Sequence, residues 1–207
     1  MRSSVPVNLS KMRPLRAFLL PYAKLIRRIA CRTLAVLCIS LCFSLAHADS
    51  GETLLLRSFP VLAEKKEDCL ENWQGQVRVV NFWATWCPPC VQEIPLFSTM
   101  QKKWRVKGVQ FIGIAIDEVN KIQAFAEQHA PTYPFWIGDV KALALTRDLG
   151  NPAQGLPFTL ILDAEGKPFA QKAGLMPEKE LESLLHAATQ KSASISRNKA
   201  PRRPCTP

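Results

Sequence analysis

Short apolar runs alternate with longer amphipathic stretches between residues 54 and 189 of the chain. Runs rich in β-branched and aromatic residues are typical of strands buried on both faces. Apolar residues that recur every three or four positions are typical of helices. No internal repeat is visible in this region. The alternation of the two patterns predicts an α/β fold in which helices cover a sheet.

Two buried strands are predicted at 77–84 and 109–117, where Val, Ile and Phe dominate. They should be central strands of a parallel sheet, and such strands are joined by a long crossover connection. Amphipathic spacing predicts the crossover helix at Pro88–Trp104 and two further helices at 120–128 and 141–149.

An antiparallel hairpin is predicted in the last third of the domain. The strands Phe158–Leu162 and Pro168–Ala173 flank a turn sequence, Asp-Ala-Glu-Gly, at 163–166. The leucine spacing at 177–189 predicts a closing helix. A further extended segment is expected at 54–59, ahead of the first central strand.

The first 48 residues combine eight Lys/Arg and no acid with an apolar run at 33–46 that ends in Ala46-His47-Ala48. This pattern predicts a secretory signal peptide cut after Ala48, and therefore a periplasmic protein. The run has about 14 residues, fewer than the roughly 20 that span a bilayer as a helix. An uncleaved membrane anchor is the alternative, and Met12 is an alternative start to Met1.

The net charge of +10 belongs to the ends of the chain. Residues 190–207 hold five Lys/Arg and no acid, and they are rich in Ser and Pro, which predicts a disordered basic tail. The region between the two ends, with a domain expected at 49–189, keeps 14 basic and 17 acidic residues. That balance argues against nucleic-acid binding.

Four cysteines lie outside the predicted leader, namely Cys69, Cys87, Cys90 and Cys205. In an exported chain they are candidates for disulfides or for redox-active thiols. A buried, inert thiol is one interpretation of Cys69, and a disulfide with Cys205 is the other. Spacing alone leaves both open.

The sequence Cys87-Pro88-Pro89-Cys90 stands where a buried strand meets a helix. A cysteine at a helix start has its thiolate stabilised by backbone N–H groups and the helix dipole. We therefore expect Cys87 to attack a disulfide and Cys90 to resolve the mixed disulfide. Half of a zinc site is the alternative, but no second ligand pair with suitable spacing accompanies it.

The segment 79–90, Val-Val-Asn-Phe-Trp-Ala-Thr-Trp-Cys-Pro-Pro-Cys, resembles exported thioredoxin-like proteins of the TlpA/ResA family. The resemblance implies a thioredoxin fold with a central mixed β-sheet, and a thiol-disulfide oxidoreductase that reduces protein disulfides, in several members during cytochrome c maturation. Protein disulfides, apocytochrome c among them, would be the substrates. A membrane thiol-transfer protein would supply electrons, and no cofactor or metal is expected.

Three further residues take roles from this resemblance. Pro157 stands where the family has a cis-proline that faces the disulfide and holds the preceding residue, Leu156, extended for pairing with a substrate strand. Trp86 is expected at the rim of the site and Trp83 in the core. Pro95 matches a proline that kinks the helix.

Glu93 matches a carboxylate that TlpA/ResA proteins keep near the redox pair. Thioredoxins themselves carry a buried aspartate on the preceding strand, where this chain has Asn81, which cannot titrate. Glu93 is therefore expected to exchange a proton with Cys90. A solvated charge in the first turns of the helix is the alternative.

Other activities of the same fold are disfavoured by particular residues. A peroxiredoxin has threonine three residues before its reactive cysteine, and here that residue is Ala84. A copper chaperone of this fold spaces its cysteines more widely, but metal binding without catalysis remains the alternative function. Pro88 and Pro89 lack N–H donors, which leaves the Cys87 thiolate less stabilised and predicts a reducing pair.

Overall fold

The computed structural model of the chain describes residues 50–62, 64–195 and Cys205. The described strands are β1 (Phe59–Pro60), β2 (Glu67–Asp68), β3 (Val77–Trp83), β4 (Val109–Ala115), β5 (Phe135–Ile137), β6 (Phe158–Leu162) and β7 (Pro168–Ala173). The α-helices are α1 (Ser50–Leu56), α2 (Pro88–Trp104), α3 (Val119–His129), α4 (Val140–Ala144) and α5 (Glu178–Ile195). Short 3₁₀ turns lie at Leu70–Trp73, Arg105–Lys107 and Arg147–Leu149.

Five strands form one mixed sheet in the order β5-β4-β3-β6-β7. Strand β3 pairs in parallel with β4 over seven residues, and β4 pairs in parallel with β5. Strand β6 runs antiparallel to both β3 and β7. The expected thioredoxin fold, a central mixed sheet flanked by helices, is confirmed.

The sheet separates two apolar cores. Every residue of β3, β4 and β6 is buried, as expected for strands that are covered on both faces. On one face Val79 and Trp83 pack with Phe97 of α2 and Leu185 of α5. On the other face, buried residues of α1 and β1 pack against alternate residues of the same strands: Leu54, Leu55, Phe59, Val80 and Phe82.

Most predicted elements are confirmed within one or two residues, namely β3, β4, α2, α3, β6 and β7. The extended segment expected at 54–59 is wrong, because the chain is helical as far as Leu56 and becomes a strand only at Phe59. Leu54 and Leu55 are adjacent and both buried, a spacing that one wide apolar face of a helix accommodates. Strand β5 has three residues and was not predicted.

The helix predicted at 141–149 is divided into α4 and a 3₁₀ turn. Thr146 lies at the division, and its hydroxyl donates to the carbonyl of Leu143 at 2.7 Å. The same hydroxyl accepts a hydrogen bond from the side chain of the buried Asn151 at 3.0 Å. Such local hydrogen bonds from side chains compete with regular helix, which accounts for the break.

The disordered tail expected from residue 190 is wrong for its first part, because α5 continues to Ile195. Lys191 pairs with the buried carboxylate of Asp163 at 2.9 Å, and Ser192 Oγ accepts the N–H of Ala164. Cys205 forms a disulfide with Cys69 across 136 positions of sequence. The other tail residues, and the predicted leader at 1–48, lie outside the described residues. Within the described part, no helix is long and apolar enough to cross a membrane.

Candidate active site

The two cysteines of the Cys-Pro-Pro-Cys sequence open helix α2. Cys87 is the N-cap, and Pro88 and Pro89 occupy the first two helical positions. Proline is favoured there because its ring fixes a helical φ and the missing N–H would have no partner within the helix. Cys87 and Cys90 form a disulfide with their Cα atoms 5.3 Å apart.

Both cysteines are buried, Cys90 more completely than Cys87. Cys87 is 4% exposed, whereas Cys90 is fully buried among residues of the first core. Trp86 precedes the pair and is 65% exposed, which makes it one of the large apolar side chains on the surface. Trp83 is fully buried, with its ring 4.6 Å from that of Phe135. Trp83 thus lies in the core, and Trp86 lies on the surface next to Cys87 in the chain.

The segment before β6 lies beside the cysteine loop. Phe158 pairs with Phe82, the penultimate residue of β3, so Leu156 and Pro157 lie next to the end of the strand from which the loop departs. The peptide bond between Leu156 and Pro157 is cis. The carbonyl of Pro157 accepts the N–H of Gly174 at 2.8 Å.

Glu93 lies three residues after Cys90 on α2, and its side chain is buried at 2% exposure. Oε1 accepts the backbone N–H of Met176 at 2.5 Å, and Oε2 accepts the side-chain amide of Asn81 at 3.4 Å. Burial raises the pKa of Glu93 to about 7, although both hydrogen bonds favour the ionised form. The alternative of a solvated surface charge is therefore wrong.

Further buried polar groups interact with the Glu93 carboxyl or with its partner Asn81. Asn81 of β3 also contacts the hydroxyl of Thr159, at 3.2 Å, and both residues are buried. Burial and then the negative charge of Glu93 raise the pKa of Tyr133. Its hydroxyl is buried without a hydrogen-bond partner among the described residues. A buried, titratable carboxyl thus lies three residues after Cys90, with the Asn81 amide and the Met176 N–H as hydrogen-bond donors to it.

Comparison with known proteins identifies the family. The Redoxin family matches residues 58–187. The chain belongs to the Redoxin family. Thiol-disulfide oxidoreductase ResA from Bacillus thuringiensis (strain Al Hakam) is 30% identical over 127 residues, which cover 61% of this chain and 71% of ResA.

Two further comparisons agree with this assignment. Thioredoxin-like protein YneN from Bacillus subtilis (strain 168) is 32% identical over 124 residues, 58% of this chain and 69% of YneN. The solved structure of a thiol:disulfide interchange protein from Chlorobium tepidum TLS superposes with a TM-score of 0.58. It is 25% identical and covers 64% of this chain and 92% of its own. This Redoxin family member is a TlpA/ResA-like thiol-disulfide oxidoreductase of thioredoxin fold.

The Redoxin-family site also contains an interaction that sequence reasoning missed. Thr85 lies two residues before Cys87, and its backbone N–H donates to Oδ2 of Asp117 at 3.2 Å. The Thr85 hydroxyl donates to the same oxygen through a short hydrogen bond. An acid two residues after the end of a buried strand, at the sheet edge from which the cysteine loop departs, was the available signal for Asp117.

The predicted site residues therefore fall into two groups. Cys87, Cys90 and Glu93 lie within two turns of one helix, with Asn81 of β3 against the Glu93 carboxyl. Trp86, Leu156 and Pro157 lie on the adjoining loops. Among the described residues, no group of three or more His, Cys, Asp or Glu side chains is arranged to hold a metal ion.

Proposed function

We propose that the chain is an exported reductant of protein disulfides that acts through the Cys87–Cys90 pair. The observation that carries the proposal is the disulfide between these residues at the N-terminus of α2, where Cys87 keeps 4% exposure and Cys90 is fully buried. A thiol at a helix N-cap is placed to act as the nucleophile, and a buried neighbour is placed to attack only the sulfur bonded to it.

In the proposed reaction the Cys87 thiolate attacks one sulfur of a substrate disulfide. A mixed disulfide forms, and the other substrate sulfur leaves as a thiolate. The Cys90 thiolate then attacks Cys87, which releases the second substrate sulfur and forms the Cys87–Cys90 disulfide. The substrate gains two electrons and two protons, and the enzyme dithiol loses them.

Glu93 supplies the site with a group that can take the proton of Cys90. The two residues are three positions apart on α2, so they lie on the same face of the helix. A carboxyl with a pKa of about 7 is divided between its two forms near neutral pH, which suits a general base. Asn81 keeps this carboxyl in place but cannot exchange protons itself.

The substrate would lie across the exposed Trp86 and the Leu156–Pro157 segment. Trp86 offers a large apolar surface next to the only slightly exposed Cys87. Leu156 is half-buried and leaves backbone groups beside the cysteine loop, where an extended substrate segment can pair with them. Recognition through backbone groups and one aromatic ring is compatible with protein substrates of varied sequence.

We assign the pair a reducing role from its two prolines. Pro88 and Pro89 provide no N–H to the Cys87 sulfur, so mainly the Cys90 N–H and the helix dipole stabilise a thiolate. A less stabilised thiolate favours the disulfide form of the enzyme and makes the dithiol a stronger reductant. We expect a reduction potential nearer to thioredoxin's, about −270 mV, than to about −120 mV.

Export is supported by the second disulfide, between Cys69 and Cys205. Disulfides that join distant parts of a chain persist mainly in oxidising compartments. A reductant in such a compartment needs electrons from the cytoplasmic side, so a membrane thiol-transfer protein would be the donor. The leader at 1–48 would direct the chain to the periplasm, either free after cleavage or tethered.

A direct test uses the reduced, full-length chain. Redox equilibration against dithiothreitol should give a potential near thioredoxin's, and the reduced protein should reduce insulin. A peptide with a disulfide inside Cys-x-x-Cys-His, the haem attachment sequence of c-type cytochromes, should react faster than insulin if apocytochrome c is the substrate. Equal rates would support a general reductant, and a potential near −120 mV would contradict the reducing role.

A further inference from the structure

The turn before Cys87 is hydrogen-bonded to the residues that follow strand β4. Thr85 donates two hydrogen bonds to Oδ2 of Asp117, one from its backbone N–H at 3.2 Å and one from its hydroxyl. The N–H of Ile116 donates to the carbonyl of Trp83 at 2.8 Å, and the N–H of Cys87 donates to the carbonyl of Ala84 at 3.2 Å. The turn is therefore closed on itself, and the Asp117 carboxylate and the Ile116 N–H hold it to the end of β4.

The surroundings of Asp117 favour its ionised form, which can only accept hydrogen bonds. Its side chain is only 5% exposed. Burial opposes its ionisation, but hydrogen bonds from the Thr85 hydroxyl, the Glu118 N–H and the Thr85 N–H outweigh that effect and hold the pKa of Asp117 below its ordinary value. The charged groups around it are Lys121, whose Nζ is 3.9 Å from Oδ1, and Glu118, which pairs with Lys121 at 2.8 Å.

We propose that Thr85 and Asp117 are positioning residues for Cys87, and that together they keep this cysteine at the N-cap of α2, where the helix dipole acts on its sulfur. This inference rests on the proposed function of Cys87 as the attacking thiol. Neither residue touches the substrate in this account. They act by fixing the turn from which the thiolate obtains its stabilisation.

Loss of the Thr85 hydroxyl should raise the pKa of the Cys87 thiol. Without the Thr85 hydroxyl, Asp117 keeps its charge but holds the turn through a single backbone N–H. Cys87 then spends part of its time away from the N-cap, so its thiolate loses stabilisation and its pKa rises. A through-space effect of the Asp117 charge has the opposite signature, because removal of that charge would lower the pKa of the Cys87 thiol.

The test measures alkylation of Cys87 by iodoacetamide as a function of pH, in the reduced full-length protein, with the modified cysteine identified by mass spectrometry. Thr85→Val should raise the apparent pKa of Cys87 by about half a unit, which slows alkylation about threefold below that pKa. Thr85→Ser keeps the hydroxyl and should match the parent. Asp117→Asn can keep its carbonyl oxygen on Thr85 and should stay within about twofold of the parent.

Three results would overturn the proposal. Thr85→Val could match Thr85→Ser, Asp117→Asn could lower the pKa of Cys87 instead of leaving it unchanged, or Thr85→Ser could fail as badly as Thr85→Val. Near-ultraviolet circular dichroism checks the fold of each variant, and Thr85→Ala replaces Thr85→Val if the latter does not fold. A parent in which Cys90 is alkylated before Cys87 would contradict the proposed function itself, and is distinguishable from all three results.

Discussion

The buried carboxylate of Glu93 accepts the backbone N–H of Met176. This hydrogen bond joins the helix that carries both cysteines to the segment between β7 and α5. Gly174, at the start of that segment, donates to the carbonyl of Pro157. A single titratable side chain thus connects the redox pair, through one short segment, with the loop proposed to hold the substrate.

Replacement of Glu93 by Gln should slow disulfide exchange near neutral pH. The Gln side chain can still accept the Met176 N–H, but it cannot take the proton of Cys90. We expect the rate to fall about a hundredfold or more, as is typical when a general base is lost, and the pH dependence with an apparent pKa near 7 to disappear. The rate of insulin reduction between pH 5 and 9 measures both effects.

Glu178→Gln is the matched control, because Glu178 lies exposed at the start of α5. It should leave rate and pH profile unchanged. If Glu93→Gln behaves like this control, the proton of Cys90 goes to water and Glu93 has no part in the exchange.

Glu93 should also make the stability of the fold depend on pH. Its pKa rises from 4.5 to about 7 on folding, so the folded state holds the proton more tightly than the unfolded chain. The resulting contribution to stability is complete below pH 4.5 and is lost as the pH rises through 7, with an upper bound of about 3 kcal/mol. Urea unfolding at pH 4.5 and pH 8 measures it.

The Glu93→Gln variant should lack this particular loss of stability. We therefore expect its free energy of unfolding, relative to the parent, to be higher at pH 8 than at pH 4.5. A difference between the two proteins that does not change with pH would show that the carboxyl titrates normally.

Cys205→Ser should lower the stability of the domain without changing its exchange chemistry. The disulfide with Cys69 closes a loop of 136 residues, and the loss of such a cross-link typically costs about 2–5 kcal/mol. The double variant Cys69→Ala/Cys205→Ser removes the free thiol that the single change leaves. A lower midpoint in urea with an unchanged rate of insulin reduction is expected for both. An unchanged midpoint would mean that this disulfide does not stabilise the fold.

Trp86→Ala should weaken reduction of protein disulfides more than reduction of small ones. Because Trp86 is 65% exposed, its loss should leave the fold intact. Replacement of the buried Trp83 by Ala should instead lower the free energy of unfolding by about 3–5 kcal/mol. We expect KM for insulin to rise severalfold and the rate with oxidised glutathione to stay unchanged. Equal losses with both substrates would place Trp86 in the redox step rather than in recognition.

The sequence predicted those parts of the fold whose pattern is local. Helix α2 begins with two prolines and has regular apolar spacing. Strands β6 and β7 flank a recognisable turn. Strand β5 is too short to produce a pattern, and it becomes a strand by pairing with β4. The same limit applies to the hydrogen bond between Thr85 and Asp117, which joins residues 32 positions apart.

The ends of the domain show a second limit. Low apolar content predicted disorder from residue 190, yet Lys191 and Ser192 are held by contacts with the turn between β6 and β7. Cys205 is tied to Cys69 by a covalent bond that composition cannot reveal. Composition indicates how much apolar surface a segment can bury. It cannot predict a single covalent or hydrogen bond to a residue far away in the sequence.

The central claim is that Cys87 attacks and Cys90 resolves, and paired cysteine variants test it most directly. Cys90→Ser and Cys87→Ser are each reduced, incubated with a disulfide-containing protein such as insulin, and quenched with acid. Non-reducing gels and mass spectrometry then identify mixed disulfides. Cys90→Ser should accumulate a stable adduct through Cys87, because no resolving thiol remains, and Cys87→Ser should trap almost nothing. Adducts on Cys87→Ser and none on Cys90→Ser would reverse the roles of the two residues, and no adduct on either would contradict the exchange mechanism.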